Sequence, residues 1–288
     1  MKETKVRKPK AKTLRIAILN IKVSPKKKEI DTKEFYSDIL NKIRKEDIAV
    51  NTRSDKYVDI FSMSKYDEKC FFGKFSYYTL IDPEKDWYHR KDKILTKVDF
   101  DPELSPNVKN SEYFFIPEAH RLCLSLTSSG IAISQIILFL EAAIRRVVSE
   151  DQTVEVIQEK SEDVIGRILK SKFLTKLDIR ISYTNDDLNK DFAEFLDQDL
   201  KDGQVRNLDL SANSFQKDFI DITQSKLLKG ALELSQSNGY AEAVTKESKK
   251  STKISTKEYP REEIIHSTEG SEHIDVYNRI KNLFRNND

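Results

Sequence analysis

Apolar residues recur along this chain in two periods, which together predict a protein of mixed helix and strand. Leu14–Val23 (LRIAILNIKV) is almost continuously apolar. A strand covered on both faces reads this way, so it is expected at the centre of a sheet. Pro25 and Lys26–Lys28 end it. Asp31 then offers a helix N-cap with Glu34 three residues on, and Phe35, Ile39 and Ile43 lay one apolar stripe down to Lys45. Lys56–Ser64 and Cys70–Asp82, parted by the polar Lys65–Glu68, predict an antiparallel hairpin. Residues 83–111 carry Pro83, Pro102 and Pro106 and no sustained period, which predicts a long connection with one short strand near Ile94–Val98. Glu112–Ile116 and His120–Thr127 form a second predicted strand pair. Ser134 is the expected cap of a long apolar helix that runs to Ser149.

From Thr153 strands and helices alternate. Val154–Glu159 predicts a strand, and Ser161, with Glu162 and Asp163 behind it, opens a helix bearing Val164, Ile165, Ile168 and Leu169. Lys176–Tyr183 alternates strictly, as a strand with one wet face does. A helix over Leu188–Leu200, a strand over Gln204–Ala212 and a helix from Phe219 to the stop at Asn238-Gly239 follow. Tyr240–Thr245 and Thr252–Lys257 predict a hairpin, and Ile274, Tyr277, Ile280, Leu283 and Phe284 a short amphipathic helix.

The expectation is an α+β fold, with a mixed or antiparallel sheet in the first half and βαβα-like alternation in the second. Its expected segments are a basic flexible arm (1–12), an α+β subdomain (13–150), an α/β subdomain (151–260) and a polar linker with a short terminal helix (261–288).

Composition sharpens the picture at one place. Residues 1–28 hold eleven Lys and Arg against Glu3 alone, a net +10 in a chain whose total is +2, so the remainder carries −8. Ten net charges attract polyanions through counterion release, and the same arm fits an acidic partner or the chain's own acidic surface. Lys2, Lys5, Arg7, Lys8, Lys10, Lys12, Lys26, Lys27 and Lys28 are therefore the candidate nucleic-acid contacts, with Arg145 and Arg146 as a second basic point. Tyr77, Tyr78, Trp87 and Tyr88 are candidate stacking rings for exposed bases.

Catalytic chemistry is less well supplied. Two cysteines, Cys70 and Cys123, sit apart in predicted strands as small buried hydrophobes of a reducing cytosol. With four scattered His they predict no metal site and no cofactor. No phosphate-loop or dinucleotide glycine pattern occurs. Arg261 and His266 fit an Arg-x4-His spacing used by one class of helical ribonucleases, a spacing that chance readily supplies here. Asp82, Glu84 and Lys85, and Glu159 with Lys160, resemble the acid and lysine clusters of metal-dependent nucleases, and also read as solvated strand ends. His120 and Cys123 fall on opposite faces of one predicted strand, so they form no dyad. Met1–Lys12 lacks the apolar stretch of a signal peptide, and the most apolar run, Gly130–Ile144, is too short and too interrupted to span a bilayer. A cytoplasmic protein without a membrane anchor is expected.

Three stretches carry a resemblance: Glu112–Leu126, Phe173–Ile181, and Asn238-Gly239-Tyr240 leading to Ser255–Pro260. In this order and spacing the chain resembles an uncharacterised bacterial domain-of-unknown-function family associated with mobile elements and phage-defence neighbourhoods. The resemblance implies no catalytic residues. Together with the basic arm it sets the expected function: a non-enzymatic, nucleic-acid-associated component of such a system. A divergent metal-dependent nuclease, and a protein-interaction subunit working through Ile274–Phe284, are the alternatives.

Overall fold

Strand β1 (Ala11–Ser24) is buried from Ile16 to its end, because both edges and both faces are covered. The computed structural model describes residues 10–24, 31–182, 196, 198–200, 202–203, 205–215, 218–247 and 250–284. Lys2, Lys5, Arg7, Lys8, Lys26, Lys27 and Lys28, Tyr183 and most of the helix expected over 188–200 lie outside them.

One edge of β1 pairs with β8 (Arg121–Leu126). The other is shared by two strands in succession: β14 (Glu262–Thr268) runs along Ala11–Ala17, and β9 (Thr153–Gln158) along Leu19–Ser24. From β8 the sheet continues antiparallel through β7 (Lys109–Ile116), β4 (Phe71–Thr79), β3 (Lys56–Lys65) and β2 (Val50–Arg53). Strand β2 is additional to the elements expected from the sequence, and β14 lies where a polar linker is expected.

The alternation of β1 assigns its faces. Leu19, Ile21 and Val23 join Tyr113, Phe115, Leu122 and Leu124 in a core covered by α1 (Thr32–Lys45) and α2 (Ile133–Val147). Ile16 and Ile18 join Phe114, Cys123 and Ile265 beneath Val276 and Ile280 of the terminal helix α5 (Glu272–Phe284). Asn20, Lys22 and Ser24 continue that second face and are buried as well. A slip of one residue would drive Asn20 and Lys22 into the core beneath α1 and α2. Burying a polar group without partners costs more than the sheet gains, so the polar half of β1 pins its register.

A second antiparallel sheet, ordered β11–β10–β12–β13, comprises β10 (Leu174–Ser182), β11 (Asn207–Asn213), β12 (Gly239–Glu247) and β13 (Lys250–Ser255). Leu177, Ile179, Ile181, Ala241 and Ala243 bury one face of it against α3 (Glu162–Leu169) and α4 (Lys226–Asn238). Gly239 opens β12 opposite Ile181, where a Cβ would stand 1.9 Å from the Arg180 carbonyl oxygen. The whole second sheet is inserted between β9 and β14. The chain leaves the first sheet at Glu159 and returns at Arg261, whose amide donates to the Glu159 carbonyl at 2.7 Å. Lys160 and Pro260 form an antiparallel bridge at the crossing. The result is an α+β fold.

Local signals hold at the helix starts. Asp31 accepts from the amides of Lys33 and Glu34, and Ser161 from that of Asp163. Ser134 does not cap α2: the helix begins at Ile133 behind Ala132, which has no capping side chain. Residues 83–111 include a small hairpin, β5 (Trp87–His89) with β6 (Ile94–Thr96). Among the described residues no helix is long and apolar enough to cross a membrane.

Burial, reinforced by the nearby Asp67 carboxylate, pushes the Cys70 thiol up to about 12, and burial raises Cys123 well above the ordinary thiol range. Since the thiolate is the reactive form, neither is expected to react with Ellman's reagent at pH 8 in the folded protein, and both should react in urea. Rapid labelling of the native chain would contradict this burial.

Candidate functional site

The polar half of β1 meets the inserted sheet in a buried network. Asn20 Nδ2 donates to the Ser237 carbonyl at 3.1 Å and to Asn238 Oδ1 at 3.3 Å. That fixes the amide, so Asn20 Oδ1 faces His120 Nδ1 at 2.9 Å, and Arg121 Nη1 approaches the same ring nitrogen at 3.0 Å. His120 is buried in the β7–β8 turn at φ +41°, a left-handed conformation that costs a residue with a Cβ about 1–2 kcal/mol. Its amide closes the turn on the Pro117 carbonyl, and its own carbonyl accepts from the Ile21 amide. The turn is thereby locked to β1, and His120 serves as a structural histidine.

Beside it, Glu159 lies 2% exposed between two guanidiniums. Arg121 Nε donates to Oε1 at 2.6 Å and Arg261 Nη1 to Oε2 at 3.0 Å. Arg261 also reaches Glu263 at 3.0 Å, which in turn accepts from Arg279 on α5. Burial opposes the charge on Arg261, and the carboxylates of Glu159 and Glu263 outweigh it, raising its pKa. Lys160, next along the crossing, has its pKa lowered by burial and by Lys257.

At the carboxyl end of β1 the two sheets leave an open cleft of about 210 Å³. Four cations line it from four elements: Lys22 from β1, Arg145 from the last turn of α2, Arg180 from β10, and Arg206 just ahead of β11. Lys22 is 2% exposed and donates to Ser182 Oγ at 2.7 Å, with Glu155 at 3.9 Å. Arg180 faces Asp209 at 3.8 Å. Glu141, the other lining carboxylate, is occupied by the Val156 amide at 3.0 Å. Arg145 makes one long bond, 3.4 Å, to the Val154 carbonyl. Among the described residues, four cations meet three carboxylates here, Glu141, Glu155 and the adjacent Asp209, so cationic charge exceeds anionic charge on a concave surface. The volume lies below that of a drug-sized pocket and suits one phosphate group with its water.

The sequence-predicted contacts separate on this frame. Lys10 is exposed, and its carbonyl accepts from the Glu269 amide. Lys12 pairs with Glu272 and Arg15 with Glu262, so this end of β1 is neutralised by the chain's own acids. Arg145 lies at the other end of β1, beside Val154, which pairs with Val23. Arg146, its neighbour, instead donates to the Ala49 carbonyl at 3.2 Å. Of the candidate rings, Tyr88 is exposed and Trp87 packs edge-on against Phe100, while Tyr77 and Tyr78 are half-buried in β4. Arg180 and Arg206 were missed, because nothing in their local sequence marks them. Lys22 and Asn20 carried a signal: two polar side chains two residues apart in an apolar strand share one face.

The catalytic patterns do not assemble. Arg261 belongs to the buried cluster, and His266, five residues on along an extended strand, is exposed on its opposite face. Glu159 is engaged by two arginines. Among the described residues no three His, Cys, Asp or Glu side chains stand close enough together to hold a metal ion.

Removing one partner of a buried ion pair strands the other charge, at a cost of about 3–5 kcal/mol. Glu159→Gln is expected to lose stability of that order, read as a lower urea midpoint at unchanged slope. A loss below about 1 kcal/mol would show that the two guanidiniums do not depend on it.

The chain has no match among curated proteins. A family model, described as a domain of unknown function (DUF4747), matches residues 12–282, and the chain belongs to that family.

Proposed function

We propose that this protein binds nucleic acid through its phosphate backbone, seated in the cleft of Lys22, Arg145, Arg180 and Arg206, as a non-enzymatic component of a bacterial phage-defence or mobile-element system. One observation supports the reading: four cations distant in sequence converge on a phosphate-sized cleft that, among the described residues, is lined by two carboxylates, Glu141 beneath the Val156 amide and Glu155 facing Lys22. Backbone contacts of this kind give affinity without sequence readout, because phosphates are the same at every step. They also make binding fall with salt. The defence context rests on the resemblance of the Glu112–Leu126, Phe173–Ile181 and Asn238–Pro260 stretches, and the cleft supplies the chemistry such a role requires.

The test is fluorescence anisotropy of the full chain with labelled DNA and RNA of random sequence over a salt series. Arg145→Glu with Arg206→Glu is expected to weaken binding at least tenfold and to lower the salt slope by about two. Arg146→Glu, whose side chain lies outside the cleft, is expected to bind as the wild type does. No binding at low salt, or undiminished binding by the double variant, would overturn the proposal.

A further inference from the structure

A second cleft, of about 450 Å³, opens near the opposite end of the first sheet. The end of β2, β4, the start of β7 and the start of α2 bring Thr52, Arg53, Tyr77, Lys109, Ser134 and Gln135 to its walls. Its volume is that of a small-molecule site. Three features set it apart from an ordinary wet surface. None of its lining residues is acidic, in a chain with 48 Asp and Glu, and neither Arg53 nor Lys109 has a carboxylate partner among the described residues. The hydroxyl of Thr52 is buried with no hydrogen-bond partner, a state that costs free energy unless a ligand meets it. The start of the 15-residue helix α2 also lines the cleft through Ala132, Ser134 and Gln135, and no side chain caps it; of its first amides, that of Gln135 bonds the Ala132 carbonyl.

The occupant these groups specify is an anion with several oxygens. Arg53 presents a planar fork and Lys109 a point charge, and each makes charge-assisted bonds to phosphate oxygens. Rotation of the Thr52 side chain would bring its buried hydroxyl to the same group, which the first amides of α2 that lack a capping side chain also face. The remaining wall is organic: Tyr77, whose hydroxyl accepts from Gln135 Nε2 at 3.2 Å, with Ile131 and the exposed Leu138 beside it. A bare inorganic ion would leave that wall unused.

We propose that this cleft binds a small phosphomonoester, its phosphate held by Arg53, Lys109 and Thr52 and its organic group laid against the Tyr77 and Leu138 wall. The site is separate from the cleft between the sheets and does not rest on the nucleic-acid reading.

Isothermal titration of the full chain with adenosine 5′-monophosphate and with adenosine tests it. The monophosphate is expected to bind saturably and the uncharged nucleoside not to bind. Arg53→Ala and Lys109→Ala, two exposed positions whose loss leaves the core intact, should each weaken binding about tenfold or more. Thr52→Val, which keeps the shape and removes the hydroxyl, should weaken it several-fold, and Arg145→Glu in the other cleft should change nothing. The proposal fails if the monophosphate does not bind. It also fails if adenosine binds as tightly as its monophosphate, or if Arg53→Ala and Lys109→Ala both bind as the wild type does.

Discussion

The carboxylate of Glu159 sits where the chain leaves one sheet for the other, and the architecture turns on it. Two guanidiniums reach it from elements far apart: Arg121 from the strand beside β1, and Arg261 from the segment that returns to the first sheet. A buried charge of this kind is stable only when its lone pairs are filled, and here both oxygens are. The same residue makes backbone bonds in both directions: its amide donates to the Ile18 carbonyl, and its carbonyl accepts from the Arg261 amide. The exit and the return of an insertion of about one hundred residues are thus clamped side by side.

That clamp explains why β1 changes character halfway along. Its first buried residues lie beneath a helix and are apolar on that face. Its last ones lie against the insertion, and there Asn20 and Lys22 find Ser237, Asn238 and Ser182. A polar seam is less costly to form correctly than to form wrongly, since each donor accepts few alternatives. It also leaves charge at its rim, and the cleft with Arg145, Arg180 and Arg206 is that rim.

Much of the fold was legible in the pattern of side chains. The continuous apolar run of β1 marked a central strand, and Asp31 and Ser161 marked helix starts by the hydrogen bonds their side chains accept. Strand β14 was not legible, because its inward positions are Glu263, Ile265 and Ser267, and Glu263 is there to meet arginines rather than to fill a core. The clefts were hidden for a different reason. Their cations come from residues 22, 145, 180 and 206 in one case and 53 and 109 in the other, and only pairing across the sheets brings them together. The charge count pointed to the arm, whose described end is instead tied down by Glu272 and Glu262.

The shared edge of β1 also sets an order of assembly. Ala11 pairs with Thr268, so β1 must wait for about 250 further residues before its last partner exists. At 5–20 residues per second on the ribosome, that delay is roughly ten to fifty seconds. Throughout it a long, apolar strand keeps half of one edge open, the arrangement most prone to pairing with a neighbouring chain. The final strand is therefore the closure that covers this open edge.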